Sequence, residues 1–167
     1  LLIHLNNVSY YRLSAYWYPF RQADDMLKPG TTFEIIWRRY TFDRQMRLLV
    51  MDAIERVEIA VRTQLTNVFT LKYGAFGHLN PANLPRINHD KWSDLIQKIR
   101  DEAVHSQERF VEHYQQKYEE ETDLPLWMAV ELMTFGMLFT FFRGTESEIK
   151  RAVANRYGIS AEVLESW

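Results

Sequence analysis

The chain of 167 residues contains no cysteine. Disulfide bonds and thiolate metal sites are therefore excluded within these residues, and the composition suits a reducing cytoplasm. The chain also has no glycine-rich phosphate loop, no HExxH pattern and no GxSxG turn, so kinases, metalloproteases and serine hydrolases have no support. Strand-like alternation, internal repeats and low-complexity stretches are absent as well. We therefore expect an all-α protein with no cofactor and no metal site.

Hydrophobic residues make up 47% of the chain and aromatic residues 14%. A chain of this length can bury one sizeable core, which predicts a single domain over residues 1–167. The most apolar stretch, Leu124 to Phe142, approaches the roughly 20 residues of a membrane span. Glu131 interrupts it, and a carboxylate at the centre of a lone span costs about 2.5 to 3.5 kcal/mol. We therefore interpret the stretch as a buried core helix and expect no membrane contact.

Charge is unevenly distributed along the chain, whose formal net charge is −2. Residues 1–73 carry ten Lys and Arg against seven Asp and Glu, whereas residues 74–167 carry ten against 15. This asymmetry favours the first half as the location of any RNA-binding surface. An ordinary solvated surface is the alternative.

A long helix is predicted in the first half of the chain. Thr31–Glu34 has the pattern of a capping box, which satisfies free backbone N–H groups where a helix begins. Apolar residues then recur at helical spacing and predict a helix over Phe42–Tyr73, with a break at Tyr40–Asp43 as an alternative. Gly74 is placed to end this helix in the left-handed conformation.

Residues 74–90 have the composition of a loop, and a second long helix is predicted after them. Either Asn88 or Asp90 caps this helix. Its apolar residues continue at helical spacing as far as Tyr114. The acidic run Glu119–Asp123 then ends it in a solvated turn.

Three further helices are predicted towards the end of the chain. The apolar helix begins after Pro125 and reaches Phe142. Thr145–Glu148 has the pattern of a second capping box and opens a short helix that ends at Tyr157–Gly158. Ser160 caps the last helix, which is barely two turns long in these residues.

The segment at residues 10–21, YYRLSAYWYPFR, holds six aromatic residues and two arginines. Three apolar side chains of the segment fall at helical spacing: Leu13, Trp17 and Phe20. This spacing predicts that most of the rings lie in the core, with tyrosine hydroxyl groups bonded at its edge. The alternative is that the rings stack on exposed bases while Arg12 and Arg21 contact phosphates.

Three segments resemble the bacterial abortive-infection (Abi-like) family, in the family's order. The first is Tyr10–Arg21, the second runs from Phe42 to Thr63 and the third from Leu124 to Gly136. The family is tied to phage defence and assigned to the HEPN superfamily of RNA-cleaving domains. The resemblance therefore implies a HEPN-like helical bundle with long central helices. It also implies a metal-independent endoribonuclease in which a histidine transfers protons and an arginine stabilises the phosphorane charge.

The Arg/His motif of the superfamily, of the type RNxCAHH, does not occur in these residues. In relatives it follows a sequence like Leu164–Trp167, so we expect it after Trp167 in the full-length protein. Leu1–Ile3 also opens inside an apolar pattern. We therefore interpret the chain as one Abi-like domain that is truncated at both ends and inactive as a fragment.

The resemblance implies supporting residues for that motif on the long helix. Polar groups on packed helices border the Arg/His site in HEPN domains, so Glu55, Glu58 and Arg62 are candidates to orient the catalytic histidine or hold a phosphate. The alternative is a solvated pair between Glu58 and Arg62, which would contribute only about 0.2 to 0.5 kcal/mol.

Six arginines are candidates for RNA binding through bidentate phosphate contacts, and a solvated face is again the alternative. They are Arg12, Arg21, Arg38, Arg39, Arg44 and Arg47. The histidines lie in no recognised metal or catalytic motif: His4, His78, His89, His105 and His113. Arg109 and His113 imitate an Arg/His pair, but their spacing is one residue too short and their segment differs from that of the motif.

RNA is the substrate that the resemblance implies, and a homodimer in which two Arg/His motifs meet is the implied assembly. An RNA or protein antitoxin is a further implied partner, and the bacterial cytoplasm is the implied location. The alternative function is a non-catalytic module that binds RNA or a protein in a defence or toxin–antitoxin system. A membrane-acting effector rests only on the apolar helix from Leu126 to Phe142.

Overall fold

The computed structural model describes residues 7–118 and 123–166, and its regular elements there are helices. The α-helices are α1 (Tyr10–Trp17), α2 (Phe33–Tyr73), α3 (His89–His105), α4 (Arg109–Lys117), α5 (Leu126–Leu132), α6 (Phe135–Gly144), α7 (Ser147–Asn155) and α8 (Ala161–Ser166). The all-α fold class is therefore confirmed. Several predictions concern residues outside the described ones, namely Leu1–Ile3, His4, residues 119–122 and Trp167.

The chain divides into two compact units, Leu1–Arg56 and Val57–Trp167. Helix α2 contributes its first part to one unit and its last part to the other. The prediction of a single domain over residues 1–167 stays a prediction.

The first unit contains α1, a turn and the start of α2. Ser9 caps α1, because its Oγ accepts a hydrogen bond from the Arg12 N–H at 3.2 Å. Leu13 is fully buried, and the Tyr16 hydroxyl donates to Asp43 Oδ2 at 2.5 Å. Helix α1 is thus attached to α2 through Tyr16, whose ring also meets the Tyr40 ring edge-on, with centroids 5.4 Å apart.

The prediction that most rings of residues 10–21 lie in the core is wrong. Tyr10, Tyr11 and Tyr18 are exposed, and the other three rings of the segment are half-buried. Helix α1 is only about two turns long and buries one stripe, that of Leu13, so side chains on its other sides face away from the core.

Helix α2 has 41 residues, which corresponds to about 60 Å. It begins at the predicted capping box and passes through Tyr40–Asp43 without a break, so its first turn lies nine residues before Phe42. Thr32 supplies the capping oxygen, which accepts from the Ile35 N–H at 3.4 Å. Gly74 ends the helix at φ +77°, as predicted.

The core of the second unit lies between the end of α2 and the helices that follow it. Phe69 and Phe141 are fully buried, and their ring centroids are 4.9 Å apart. Lys72 at the end of α2 pairs with Glu146 and Glu148 at 2.5 Å each. These contacts hold α6 and the start of α7 against α2.

Two helices that the sequence predicted as continuous are each divided in two. Asn88 is the cap of α3, since its Oδ1 accepts from the Lys91 N–H at 3.0 Å, but α3 ends at His105 and α4 begins only at Arg109. The apolar stretch is divided as well, into α5 and α6. Thr134 begins the new helix because its Oγ1 accepts from the Met137 N–H at 3.3 Å.

The second predicted capping box, Thr145–Glu148, is also wrong. The Thr145 hydroxyl donates backwards to the Phe142 carbonyl oxygen at 2.7 Å, and none of the described side chains caps α7. The Glu146 carboxylate instead accepts from the Tyr73 hydroxyl at 2.7 Å. Ser160 caps α8 as predicted, with its Oγ 3.3 Å from the Val163 nitrogen.

None of the helices in the described ranges combines the length and the apolar character that crossing a membrane requires. The apolar stretch falls short because Met133 and Thr134 divide it into helices of seven and ten residues.

Candidate functional site

Arg62 is the centre of a polar cluster in the second unit. Its side chain lies on α2 and is only 15% exposed. The guanidinium donates to Glu58 Oε1 at 2.7 Å and to the Met133 carbonyl oxygen at 3.1 Å. A longer contact of 3.6 Å joins its Nη1 to Glu131 Oε2. We call these four residues the Arg62 cluster.

The local sequence explains how the cluster forms. Glu58 lies one turn before Arg62, the order that favours an ion pair between positions i and i+4. Met133 follows the last residue of α5 with φ −69° and ψ 129°, so its carbonyl oxygen has left the helical hydrogen-bond pattern. Arg62 supplies the missing donor. The side chain of Glu131 comes from the last turn of α5 and completes the arrangement.

The surroundings of Arg62 favour a positioning role over phosphate binding. Both terminal nitrogens already face carboxylates, and Nε is buried with no hydrogen-bond partner among the described residues. The side chains of Glu58 and Glu131 are 27% and 56% exposed. An exposed carboxylate beside a fixed cation can accept a hydrogen bond from an imidazole N–H and set its orientation.

The structure brings together two of the three supporting candidates. Glu58 and Arg62 form the ion pair, whereas Glu55 is exposed and its side chain has no hydrogen bond or ion pair in the part of the chain that is described. Sequence reasoning did not include Glu131 in the site, although a carboxylate inside the most apolar stretch was a usable signal. The Met133 carbonyl had no signal, because it depends on the end of α5.

The six candidate arginines for RNA binding lie in the first unit, and all six are exposed. Arg21 pairs with Asp25, and Arg47 pairs with Asp43 at 2.9 Å. Arg39 lies over the ring of Phe20, 4.6 Å from its centroid. The other three have no ion pair in the described ranges: Arg12, Arg38 and Arg44.

The four arginines of α2 are close in sequence but do not share one face. At about 100° per residue, Arg38, Arg39, Arg44 and Arg47 spread over roughly two thirds of the helix circumference. A single RNA backbone cannot contact all four at once on a straight helix. Their density in the sequence therefore overstates the basic character of any one face.

The histidines of the described residues, which exclude His4, form no further metal site. No group of three or more His, Asp or Glu side chains that could hold a metal ion occurs within residues 7–118 and 123–166. Arg109 and His113 are exposed on α4. His78 is buried, and desolvation lowers its pKa to about 4, so this imidazole is neutral near neutral pH.

These features define a class of protein: an all-α chain in which a long helix and a divided apolar helix hold an arginine between carboxylates. The chain belongs to the Abi-like protein family, whose model matches residues 3–167. The match includes all three segments that resemble the family. No curated protein and no solved structure gives a significant match.

Proposed function

We propose that the full-length protein is an abortive-infection effector that cuts RNA in the cytoplasm of phage-infected bacteria. Membership of the Abi-like family is the observation that carries the proposal. The all-α fold is compatible with a HEPN-type, metal-independent endoribonuclease. The Arg62 cluster supplies a fixed polar environment of the kind that such a site needs beside its Arg/His pair.

The proposed reaction is an attack by a ribose 2′-hydroxyl on the adjacent phosphate. A histidine accepts the proton of the 2′-hydroxyl and returns a proton to the 5′-oxygen as the bond from phosphorus to this oxygen breaks, which leaves a 2′,3′-cyclic phosphate. An arginine stabilises the phosphorane charge. From the resemblance we propose that residues after Trp167 supply this histidine and arginine and that the present chain alone is inactive. Glu131 and Glu58, held by Arg62, are proposed to orient the histidine.

The test compares this chain with a version extended through the next native helix. Each is incubated with total RNA in EDTA, and the cut ends are mapped. Cutting by the extended version alone, abolished when its Arg or His is replaced, would support the ribonuclease. Tight RNA binding without cutting would instead support the non-catalytic module, and loss of both activities would leave a protein partner such as an antitoxin.

A second measurement tests the positioning role. In the extended version, Glu131→Gln is expected to shift the pH profile of cutting, because the pKa of a histidine follows the charge of the carboxylate beside it. Glu112→Gln on α4 is the control, since Glu112 is exposed and lies outside the Arg62 cluster. An unchanged pH profile in both variants would remove Glu131 from the proposed site.

We also propose a homodimer formed through α2. Within the first unit, this helix exposes large apolar side chains on one face: Phe42, Met46, Leu49, Val50 and Ile54. Phe42, Met46, Val50 and Ile54 recur every four residues and Leu49 lies beside them, which is the pattern of a helix–helix seam. A second copy of the chain would cover this face, and sedimentation of the extended protein would reveal it as a doubled mass.

A further inference from the structure

The second unit contains a basic cleft that the sequence did not indicate. Two adjoining cavities of about 500 and 430 Å³ share Arg86, Lys150 and Glu165 in their walls. Five cationic side chains line the two cavities: Arg86, Lys91, Arg143, Lys150 and Arg151. We call this pair of cavities the basic cleft. Their volumes are typical of ligand-binding sites, roughly 300 to 1,000 Å³.

The cleft is positive although its unit is acidic. Residues 57–167 carry 12 Lys and Arg against 16 Asp and Glu, whereas the cleft has five cations against three carboxylates. One of these carboxylates, Asp94, already pairs with Lys98 at 2.8 Å. A local excess of positive charge on an acidic unit raises the local concentration of anions.

Three of the cations are not neutralised by a carboxylate in the described ranges: Arg86, Lys91 and Arg151. Arg86 is held in place from two sides. Its backbone N–H donates to the Gly144 carbonyl oxygen at 3.1 Å, and its guanidinium donates to Ser147 Oγ. Arg151 Nε donates to the Ser147 carbonyl oxygen at 3.3 Å. Both guanidinium groups are therefore fixed at the start of α7.

The remaining two cations share one carboxylate. Glu165 on α8 accepts from Lys150 Nζ at 3.0 Å and pairs with Arg143 Nε at 2.9 Å. The Lys150 side chain is only 7% exposed, so this contact is part of the wall. Arg143 also lies over the Phe139 ring, 5.6 Å from its centroid. A guanidinium beside a ring offers a stacking surface for a nucleic-acid base.

We propose that the basic cleft binds single-stranded RNA, with backbone phosphates at Arg86, Arg151 and Lys91 and a base against Arg143. The choice of RNA as the ligand rests on the proposed function. Arginines fixed by protein contacts bind phosphates with little further ordering. None of the residues that line the cleft belongs to the Arg62 cluster or to the six candidate arginines. Glu165 acts as an internal carboxylate that limits affinity.

The first test measures binding of a fluorescent oligouridine by anisotropy in EDTA, so that it does not depend on cutting. Arg86→Gln with Arg151→Gln is compared with Arg109→Gln plus Lys117→Gln, an equal charge change on α4. The double variant of Arg86 and Arg151 is expected to bind the oligouridine about tenfold more weakly or worse. The slope of log affinity against log salt concentration should fall by about 1.4, since each phosphate contact contributes roughly 0.7. Equal effects of the two pairs, or no binding by the parent protein, would overturn the proposal.

A second variant distinguishes charge from a loss of folding. Glu165→Gln removes negative charge from the cleft and keeps the size of the side chain, so affinity is expected to rise by a few-fold. A variant that has lost its helical circular dichroism could not show such a gain. Unchanged or weaker binding by folded Glu165→Gln would contradict the competing role of this carboxylate.

Competition identifies the ligand. Uridine monophosphate and inorganic phosphate should displace the oligouridine only at far higher concentrations, because they reach one cationic position instead of several. If either competitor displaces the oligouridine when its phosphate concentration only equals that of the oligouridine, the proposal that the cleft binds an RNA chain is overturned. If the extended protein binds RNA without cutting it, the ribonuclease proposal is overturned and the RNA-binding cleft remains. If the two double variants of the extended protein cut equally well at low RNA concentration, the proposal for the cleft alone is overturned.

Discussion

Arg62 and Arg56 are a matched pair of residues on α2. Each pairs with a carboxylate four residues earlier, Glu58 at 2.7 Å and Asp52 at 2.9 Å. The side chains of Arg56 and Asp52 are 78% and 59% exposed, whereas Arg62 is nearly enclosed and also bonds the Met133 carbonyl. The same ion pair between positions i and i+4 is therefore exposed to solvent at Arg56 and largely enclosed at Arg62.

Arg62→Met is expected to lower the free energy of unfolding by about 2 kcal/mol, because Glu58 and the Met133 carbonyl lose their donor in a partly buried place. Arg56→Met should change it by less than about 0.5 kcal/mol. Urea denaturation of the two variants measures both values. Equal losses would mean that Arg62 is an ordinary surface residue.

His78 gives a prediction about pH. Its imidazole is buried, Nδ1 has no hydrogen-bond partner among the described residues, and desolvation lowers its pKa from 6.5 to about 4. Between these two values the unfolded chain binds a proton that the folded protein does not bind, so stability falls as the pH falls through this window. For this histidine the loss between about pH 7.5 and pH 5 is about 2 kcal/mol.

Urea denaturation at both pH values checks this expectation. Other groups also titrate, so the decisive quantity is the difference between the parent protein and His78→Asn. The variant should lose about 2 kcal/mol less over the same pH interval. Identical losses in the two proteins would show that burial of His78 does not control the pH dependence.

At the scale of elements, the division between α5 and α6 depends on Thr134. Thr134→Ala is expected to cost about 1 kcal/mol of stability, because the first turn of α6 loses the acceptor for the Met137 N–H. Thr134→Ser keeps an oxygen in place and should retain most of the stability. Thr140→Ala is the control, since its hydroxyl only donates back to the Gly136 carbonyl oxygen within α6. Thermal unfolding of the three variants ranks them.

The elements that the sequence predicted are those with local signals. The capping box at the start of α2, Gly74 at its end and Ser160 before α8 each act within a few residues of their own position. The division at Thr134 was missed because the apolar periodicity continues across it. The local sequence does not distinguish a threonine that caps a new helix from a threonine inside a continuous helix. The packing of α5 and α6 in the core decides which of the two Thr134 becomes.

The same distinction applies to the candidate site. The pair of Glu58 and Arg62 is local and was predicted from its spacing of four residues. The contact between Arg62 and Met133 joins residues 71 positions apart, so only the tertiary fold reveals it. The basic cleft was missed for a similar reason, because Arg86, Arg143 and Arg151 come from separate segments.

At the scale of the whole molecule, the exposed apolar face of α2 predicts an assembly. Met46 is near the centre of that face, whereas Leu48 is exposed on roughly the opposite side of the helix. A carboxylate at position 46 would be buried between two copies without a partner. A carboxylate at position 48 would face solvent. The two residues therefore separate an effect on the interface from a general effect of added charge.

Met46→Glu is expected to weaken dimerisation by about 100-fold or more, since an unpaired buried charge costs several kcal/mol. Leu48→Glu should leave the dimer unchanged within about twofold, because Debye screening limits long-range repulsion at physiological salt. Sedimentation equilibrium of the extended protein measures both constants. A parent protein that sediments as a monomer, or equal weakening by the two substitutions, would contradict an interface on this face of α2.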